Sequence, residues 1–176
     1  RNEIALAKAG KPARVIAKMN ALLEPETINT LYEASQAGVK VDLIVRGVCA
    51  LRPGVTGLSE NIRVRSIIGR FLEHTRIFYF HNDGKEDIYL ASADWMDRNF
   101  FRRIEACFPV LDKKLKKRVL DEGLTIYLKD NHQAWEMDCN GFWHRKKPNR
   151  SKSVNAQSEL AALLGQIPTP ADEETA

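Results

Sequence analysis

Between Arg65 and Glu105 the sequence gathers the residue types that phosphoryl chemistry requires. His74-Thr75-Arg76 leads into an aromatic run, Phe78, Tyr79 and Phe80, and Ser92-Ala93-Asp94 follows the next strand-like segment. An imidazole, a guanidinium, a hydroxyl and a carboxylate are thereby spaced over two strands expected to be neighbours. A transferring phosphoryl group carries negative charge that positioned cations and hydrogen-bond donors must neutralise. Arg46, at the end of a strongly apolar run, adds a planar fork of donors suited to phosphate oxygens.

Each of these residues has an ordinary structural alternative. A histidine beside an apolar strand is often a satisfied core or surface group, and Arg76 could equally be a strand-edge charge paired with Asp94. Arg98, Arg102 and Arg103 could line the route of an anionic chain or simply cap and solvate a helix, Arg103 being the one favoured for binding. His81, His132 and His144 read as surface or turn residues, with His81 close enough in sequence to be tested. Phe78, Tyr79 and Phe80 alternate across a strand and read as core.

The elements that must position these groups alternate between β and α patterns. Arg14 to Met19 is a short β-branched run. Pro25 fits the first turn of a helix, where its missing N–H costs nothing, and Ile28, Leu31, Tyr32 and Ser35 continue at helical spacing. Gly38 suits a left-handed position just past the helix end. Val41 to Val45 is almost continuously apolar, as in a strand covered on both faces. The three segments make a right-handed βαβ unit with parallel strands.

A Gly- and Pro-containing loop from Arg46 to Asn61 then leaves the carboxyl end of a strand, the edge where open α/β sheets bind ligands. Arg63 to Ile68, Arg76 to Phe80 and Asp87 to Ala91 read as strands, with Asn82-Asp83-Gly84 as a turn. Leu111 to Lys129 reads as a helix, and Ala134 to Met137 with Phe142 to Arg145 as a hairpin around Asn140-Gly141.

The 176 residues, 44% of them hydrophobic, suffice for one packed domain. The chain opens on Arg1, with apolar Ile4, Ala5 and Leu6 close behind, and is expected to be a piece of a longer protein. No run approaches the roughly 18 to 20 apolar residues needed to cross a bilayer. A cytoplasmic location is expected, with membrane association left open. Cys49, Cys107 and Cys139 are far apart, without zinc-ligand spacing, and read as reduced thiols rather than metal ligands. The net charge of +4 is concentrated: Arg98 to Arg118 holds eight Lys or Arg against Glu105 and Asp112 alone. A second cluster comprises Arg145, Lys146, Lys147, Arg150 and Lys152. Such clusters attract polyanions in general, or else form a solvated face.

The spacing of His74, Arg76 and the Ser92-Ala93-Asp94 segment resembles the phospholipase D superfamily pattern, in which HxK is followed by GSxN. Arg76 stands where that pattern has Lys, His81 where it has Asp, Ala91 where it has Gly and Asp94 where it has Asn. These departures, with the stretches Tyr32 to Lys40, Asp42 to Gly47, Leu51 to Gly54, Gly57 to Ser66, Gly69 to His74 and Ser92 to Asn99, resemble the C-terminal domain of the polyphosphate kinases. The similarity runs from about Ala13 to Arg145.

That resemblance implies an α/β phospholipase-D-like domain over residues 1–146, with a mixed, mainly parallel sheet flanked by helices and a C-terminal hairpin. Residues 147–176 would form a flexible polar tail with a short helix near Ala156 to Leu164. It further implies Mg²⁺-assisted, reversible transfer of the ATP terminal phosphate to inorganic polyphosphate, through a phosphohistidine in a preceding domain absent from this chain. His74 matches the partner histidine and Arg46 a residue that binds the nucleotide's phosphates; Arg76, Ser92, Asp94 and Arg103 are further candidates. No metal ligand is expected in this segment. The partners implied are ATP or ADP, polyphosphate and the enzyme's other domains in a homo-oligomer, without nucleic acid. A phospholipase-D-type phosphodiesterase half-site and a non-catalytic polyanion-binding module are the alternatives.

Overall fold

The computed structural model describes residues 1–148 and 152–165. Arg150 of the second basic cluster and the Pro-containing acidic end of the expected tail lie outside the described residues. The first βαβ unit forms as expected: β1 (Arg14–Met19) has the expected bounds, α2 (Pro25–Gln36) lies between Pro25 and Gly38, and β2 (Lys40–Val45) starts one residue earlier than the apolar run; a short helix α1 (Asn2–Lys8) precedes them. α2 begins where Pro25 supplies a fixed φ and the Glu24 carboxylate accepts from the N–H groups of Glu26 (3.0 Å) and Thr27 (2.6 Å), satisfying two of the helix's free donors. It ends at Gly38, whose φ of 92° is open to glycine without strain.

The strands β3 (Ile62–Ile67), β4 (Ile77–Phe80), β5 (Asp87–Ala91), β6 (Cys107–Pro109), β7 (Ala134–Met137) and β8 (Trp143–Arg145) complete an eight-stranded open sheet of order β6-β5-β4-β1-β2-β3-β7-β8. The sheet is mixed, as expected, but its parallel part is confined to the centre: β1–β2 and β2–β3 are parallel, while β1–β4, β3–β7, β4–β5, β5–β6 and β7–β8 are antiparallel. The expectation of a mainly parallel sheet is corrected by the connections. The turns at Asn82–Gly84 and at Asn140-Gly141 are too short for a crossover and can join only antiparallel neighbours.

Alternation along β1 sends Val15, Ala17 and Met19 to the face covered by α1 and α2, and Ile16 and Lys18 to the other. That second face is covered by α4 (Lys113–Leu120), a wide π turn (Asp121–Thr125) and α5 (Ile126–Lys129), which together occupy the expected helical segment, and by α6 (Ala156–Leu164). Gly123, within the π turn, lets this helix lie against the sheet, because a Cβ there would overlap the end of Ile77. α1, the five-residue α3 (Asp97–Phe101) and the three-residue β6 are too short for periodicity to announce them. On α4, Lys117 and Arg118 pair with Asp121 and Glu122 one turn on, so this part of the first basic cluster is a solvated helix face.

The helix expected near Ala156 to Leu164 forms with those bounds and is docked, with Ala156 and Gln157 buried. It is held through Asp130, which is wholly buried at the end of α5. One carboxylate oxygen of Asp130 accepts from the N–H groups of His132 (2.9 Å), Gln133 (2.7 Å) and Ala134 (3.1 Å), and the other from Ala156 N–H (2.8 Å). Asn131 adds a bond from Val154 N–H to its side-chain oxygen (2.8 Å) and one from its own N–H to the Val154 carbonyl (3.1 Å). Asp130→Ala would leave four backbone donors without this acceptor, two of them, at Ala134 and Ala156, buried, and a loss of stability on the order of 3 kcal/mol is expected in urea unfolding of the chain.

Candidate active site

Asn20 and Arg46 directly follow β1 and β2, and the parallel pairing of those strands brings both residues to the carboxyl edge of the sheet. The backbone of Arg46 is fixed from two sides: its N–H donates to the Met19 carbonyl (3.2 Å), and its carbonyl accepts from the Ser66 hydroxyl (2.9 Å). Its side chain donates from Nε to Asn20 Oδ1 (2.9 Å). Among the described residues its two Nη groups have no partner, so the terminal fork is free to meet an anion.

Asp94 organises the same edge. It is 6% exposed. Its Oδ1 accepts from Asn20 N–H (2.7 Å) and Arg76 Nε (3.1 Å), and its Oδ2 from Arg76 Nη2 (2.9 Å). Arg76 also donates from Nη1 to the His74 carbonyl (2.9 Å). A continuous polar path therefore runs from Arg46 through Asn20, Asp94 and Arg76 to the backbone of His74. The pairing of Arg76 with Asp94 that the sequence offered as one alternative is the one observed. The guanidinium of Arg76 is thereby engaged in structure, while that of Arg46 is open. The imidazole of His74 is exposed and has no hydrogen-bond partner among the described residues.

The remaining candidates separate. The Ser92 hydroxyl bonds Glu105 and accepts from Ala106 N–H (2.9 Å), tying β5 to the chain entering β6. Glu105 also accepts from Asn99 Nδ2 (2.5 Å), and the Ser92 and Asn99 bonds, with the nearby Arg103 and Arg76 charges, hold its carboxyl below the ordinary value. Arg103 is thus exposed beside an acid at this edge. Arg102 is exposed and pairs with Asp97 (3.3 Å) in the same short helix, which solvates α3. His81 is at the opposite end of the sheet, its N–H bonded to the Arg14 carbonyl (3.0 Å) at the start of β1. His144 pairs with Asp138 in the β7–β8 hairpin (2.7 Å), and His132 meets Ser153 (3.2 Å).

Sequence reading missed Asn20, Glu105 and a buried group behind His74. Lys18, an ammonium within the apolar part of β1, pairs with Glu73 (2.5 Å) and lies over the Tyr127 ring, 3.4 Å from its centroid. Burial pulls the Lys18 ammonium below its ordinary value against the attraction of Glu73. Burial also pushes the Glu73 carboxyl up, but the Lys18 charge and hydrogen bonds from Lys18, Tyr127 and Gln157 outweigh it and leave the carboxyl low. The signals were a charge inside β1 and a carboxylate adjacent to His74; neither reveals its partner. A cavity of about 540 Å³ lies between α1, α2 and the sheet around Leu31, Phe80 and Trp95, and contains none of these groups.

The chain matches the family model described as polyphosphate kinase C-terminal domain 2 over residues 1–157. It is similar to the polyphosphate kinase of Burkholderia lata, at 65% identity over 162 residues, covering 92% of this chain and 23% of that protein. The polyphosphate kinase of Paraburkholderia phytofirmans is 64% identical over 160 residues, 91% of this chain and 23% of that protein. Among solved structures, polyphosphate kinase from Porphyromonas gingivalis superposes with a TM-score of 0.89 at 42% identity, covering 99% of this chain and 26% of that one. Nuc from Salmonella typhimurium, a phospholipase D family member, superposes with a TM-score of 0.52 at 14% identity over 77% of this chain and 88% of that one, which shows a shared fold. The chain thus spans about a quarter of the length of the relatives it matches.

Removing Asp94 would leave Arg76 largely buried and unpaired and would free Asn20 N–H. Asp94→Ala is expected to cost about 3 to 5 kcal/mol in chemical unfolding. The double variant Asp94→Leu with Arg76→Met is expected to recover most of that loss, because no charge is then stranded.

Proposed function

The chain belongs to the polyphosphate kinase family, and on that premise we propose that it is the C-terminal half-site of an enzyme that reversibly transfers the terminal phosphate of ATP to inorganic polyphosphate. What carries this reading is the convergence, at one sheet edge, of the open Arg46 fork and the unpartnered His74 imidazole on a scaffold fixed by Asp94. Arg46 would take nonbridging phosphate oxygens through its two Nη groups, a pairing that suits a planar guanidinium. His74 would donate a hydrogen bond to the transferring phosphoryl group or protonate the departing oxygen, both interactions strongest in the transition state. The phosphate-accepting histidine would come from the part of the enzyme outside this chain.

Mg²⁺ would enter with the nucleotide and neutralise phosphate charge. Among the described residues no group of three or more His, Cys, Asp or Glu side chains is gathered to hold a metal ion. Arg103, exposed beside Glu105, would extend the cationic edge toward a polyphosphate chain. The shared fold with a phospholipase D family member keeps a phosphodiesterase in view, but the Asp94–Arg76 pairing disfavours it here. The cation of the histidine motif, which that pattern would direct at phosphate, is held by a buried carboxylate.

The chain alone is expected to synthesise no polyphosphate when supplied with ATP and Mg²⁺; steady synthesis by the purified chain would overturn the half-site reading. In the full-length enzyme His74→Ala is expected to lower kcat by roughly 10² to 10⁴, with a smaller change in KM and an unaltered melting temperature. His74→Gln, which can donate a hydrogen bond but cannot titrate near neutral pH, separates the two roles by whether it restores part of the rate.

A further inference from the structure

His74 sits in an irregular segment between β3 and β4 in which Ile68, Arg70, Phe71, Leu72, His74 and Thr75 are all exposed. Glu73 is the side chain that turns inward immediately before His74, and its two oxygens are held separately: Oε2 by Lys18 Nζ (2.5 Å) and Oε1 by Gln157 Nε2 (2.7 Å). Gln157 also grips the segment by its backbone. Its Oε1 accepts from Phe71 N–H (2.9 Å), and its Nε2 donates to the Phe71 carbonyl (2.8 Å), so one amide serves both polar groups of Phe71 as a neighbouring strand would. Gly69 passes against the same amide so closely that a Cβ there would overlap it.

Gln157 is itself placed with little freedom. It is 6% exposed, one residue after Ala156, whose N–H is bonded to buried Asp130. On the other side of His74, Arg76 holds its carbonyl from the Asp94 scaffold. The histidine is therefore bracketed by two anchors that enter from different layers of the fold: the sheet edge and the C-terminal helix.

We infer that Gln157 of α6 is a positioning residue for the active site, holding the Phe71–Glu73 segment, together with Lys18, so that the exposed imidazole of His74 is aimed at the phosphoryl group. The inference rests on the role given to His74 above. Without the Gln157 amide, Phe71 would lose both of its backbone partners and Glu73 one of its three, Lys18 and Tyr127 remaining. The histidine would remain present but would sample more than one direction, and misplacement of about an ångström at a reacting group costs up to about 10²-fold in rate.

The test is a double-mutant cycle in the full-length enzyme, measured as phosphate transfer from ATP to polyphosphate. Gln157→Ala is expected to lower kcat by about ten- to a hundredfold, with KM for ATP changing less. In a His74→Ala background the same substitution is expected to cost less than about twofold, because no imidazole is left to aim. Gly69→Ala, which displaces the amide while leaving α6 intact, is the second variant and is expected to reproduce the loss if Gln157→Ala impairs folding. A kcat near wild type in folded Gln157→Ala or Gly69→Ala, or a full second loss in the His74→Ala background, would overturn the positioning role alone. Normal turnover by His74→Ala would overturn the reading of His74 and the positioning role with it.

Discussion

The buried carboxylate of Asp94 is the constraint from which the site follows. A charge this far from water persists only where every lone pair is met by a donor or a counter-charge. The Asp94 carboxylate obtains its partners from two separate parts of the chain, the end of β1 at Asn20 and the segment entering β4 at Arg76, and the Asn20 side chain carries the link on to Arg46 at the end of β2. Satisfying one acid therefore fixes the relative position of three strand ends. Because Asn20 N–H takes part with its backbone, the arrangement also sets where β1 stops being strand.

The two arginines illustrate how one residue type is divided between tasks by its partners. Arg76 spends Nε and Nη2 on Asp94 and Nη1 on the His74 carbonyl, and its charge is balanced where it stands. Among the described residues Arg46 gives only Nε, to a neutral amide oxygen, which orients the guanidinium without cancelling its charge. A cation that is aimed but not neutralised is what an anionic ligand requires, since no existing ion pair has to be broken first.

Much of the fold was legible because local chemistry dictates it. The apolar runs of β1 and β2, Pro25 with the helical spacing after it, and Gly38 at a left-handed turn each act over a few residues; the bounds of β1 came out as expected, and α2 starts at Pro25 and stops before Gly38 as they indicate. The candidate residues were legible by type, and the structure brings Arg46, His74, Arg76 and Asp94 to one edge. What could not be read was which partner each would take. Asn20 and Asp94 are 74 residues apart, and Phe71 and Gln157 are 86 apart. No local periodicity specifies such a pair; only the closing of the sheet and the docking of α6 do. The same limit explains the sheet direction: a strand's pattern records that its faces are covered, not whether its neighbour runs with it or against it.

The edge strand β6 has a bearing on how copies of the molecule meet. Ala106 and Val110 direct their ladder bonds toward β5, through Ser92 N–H to the Ala106 carbonyl (2.9 Å) and Val110 N–H to the Ile88 carbonyl (2.8 Å). By the alternation of an antiparallel ladder, Cys107 and Pro109 then face away from the sheet. Pro109 has no N–H to give, so the outer side of this three-residue strand offers the donor of Cys107 alone. An incoming strand from another copy would find too few bonds to extend the sheet at this edge, as a short, proline-bearing edge strand disfavours such pairing.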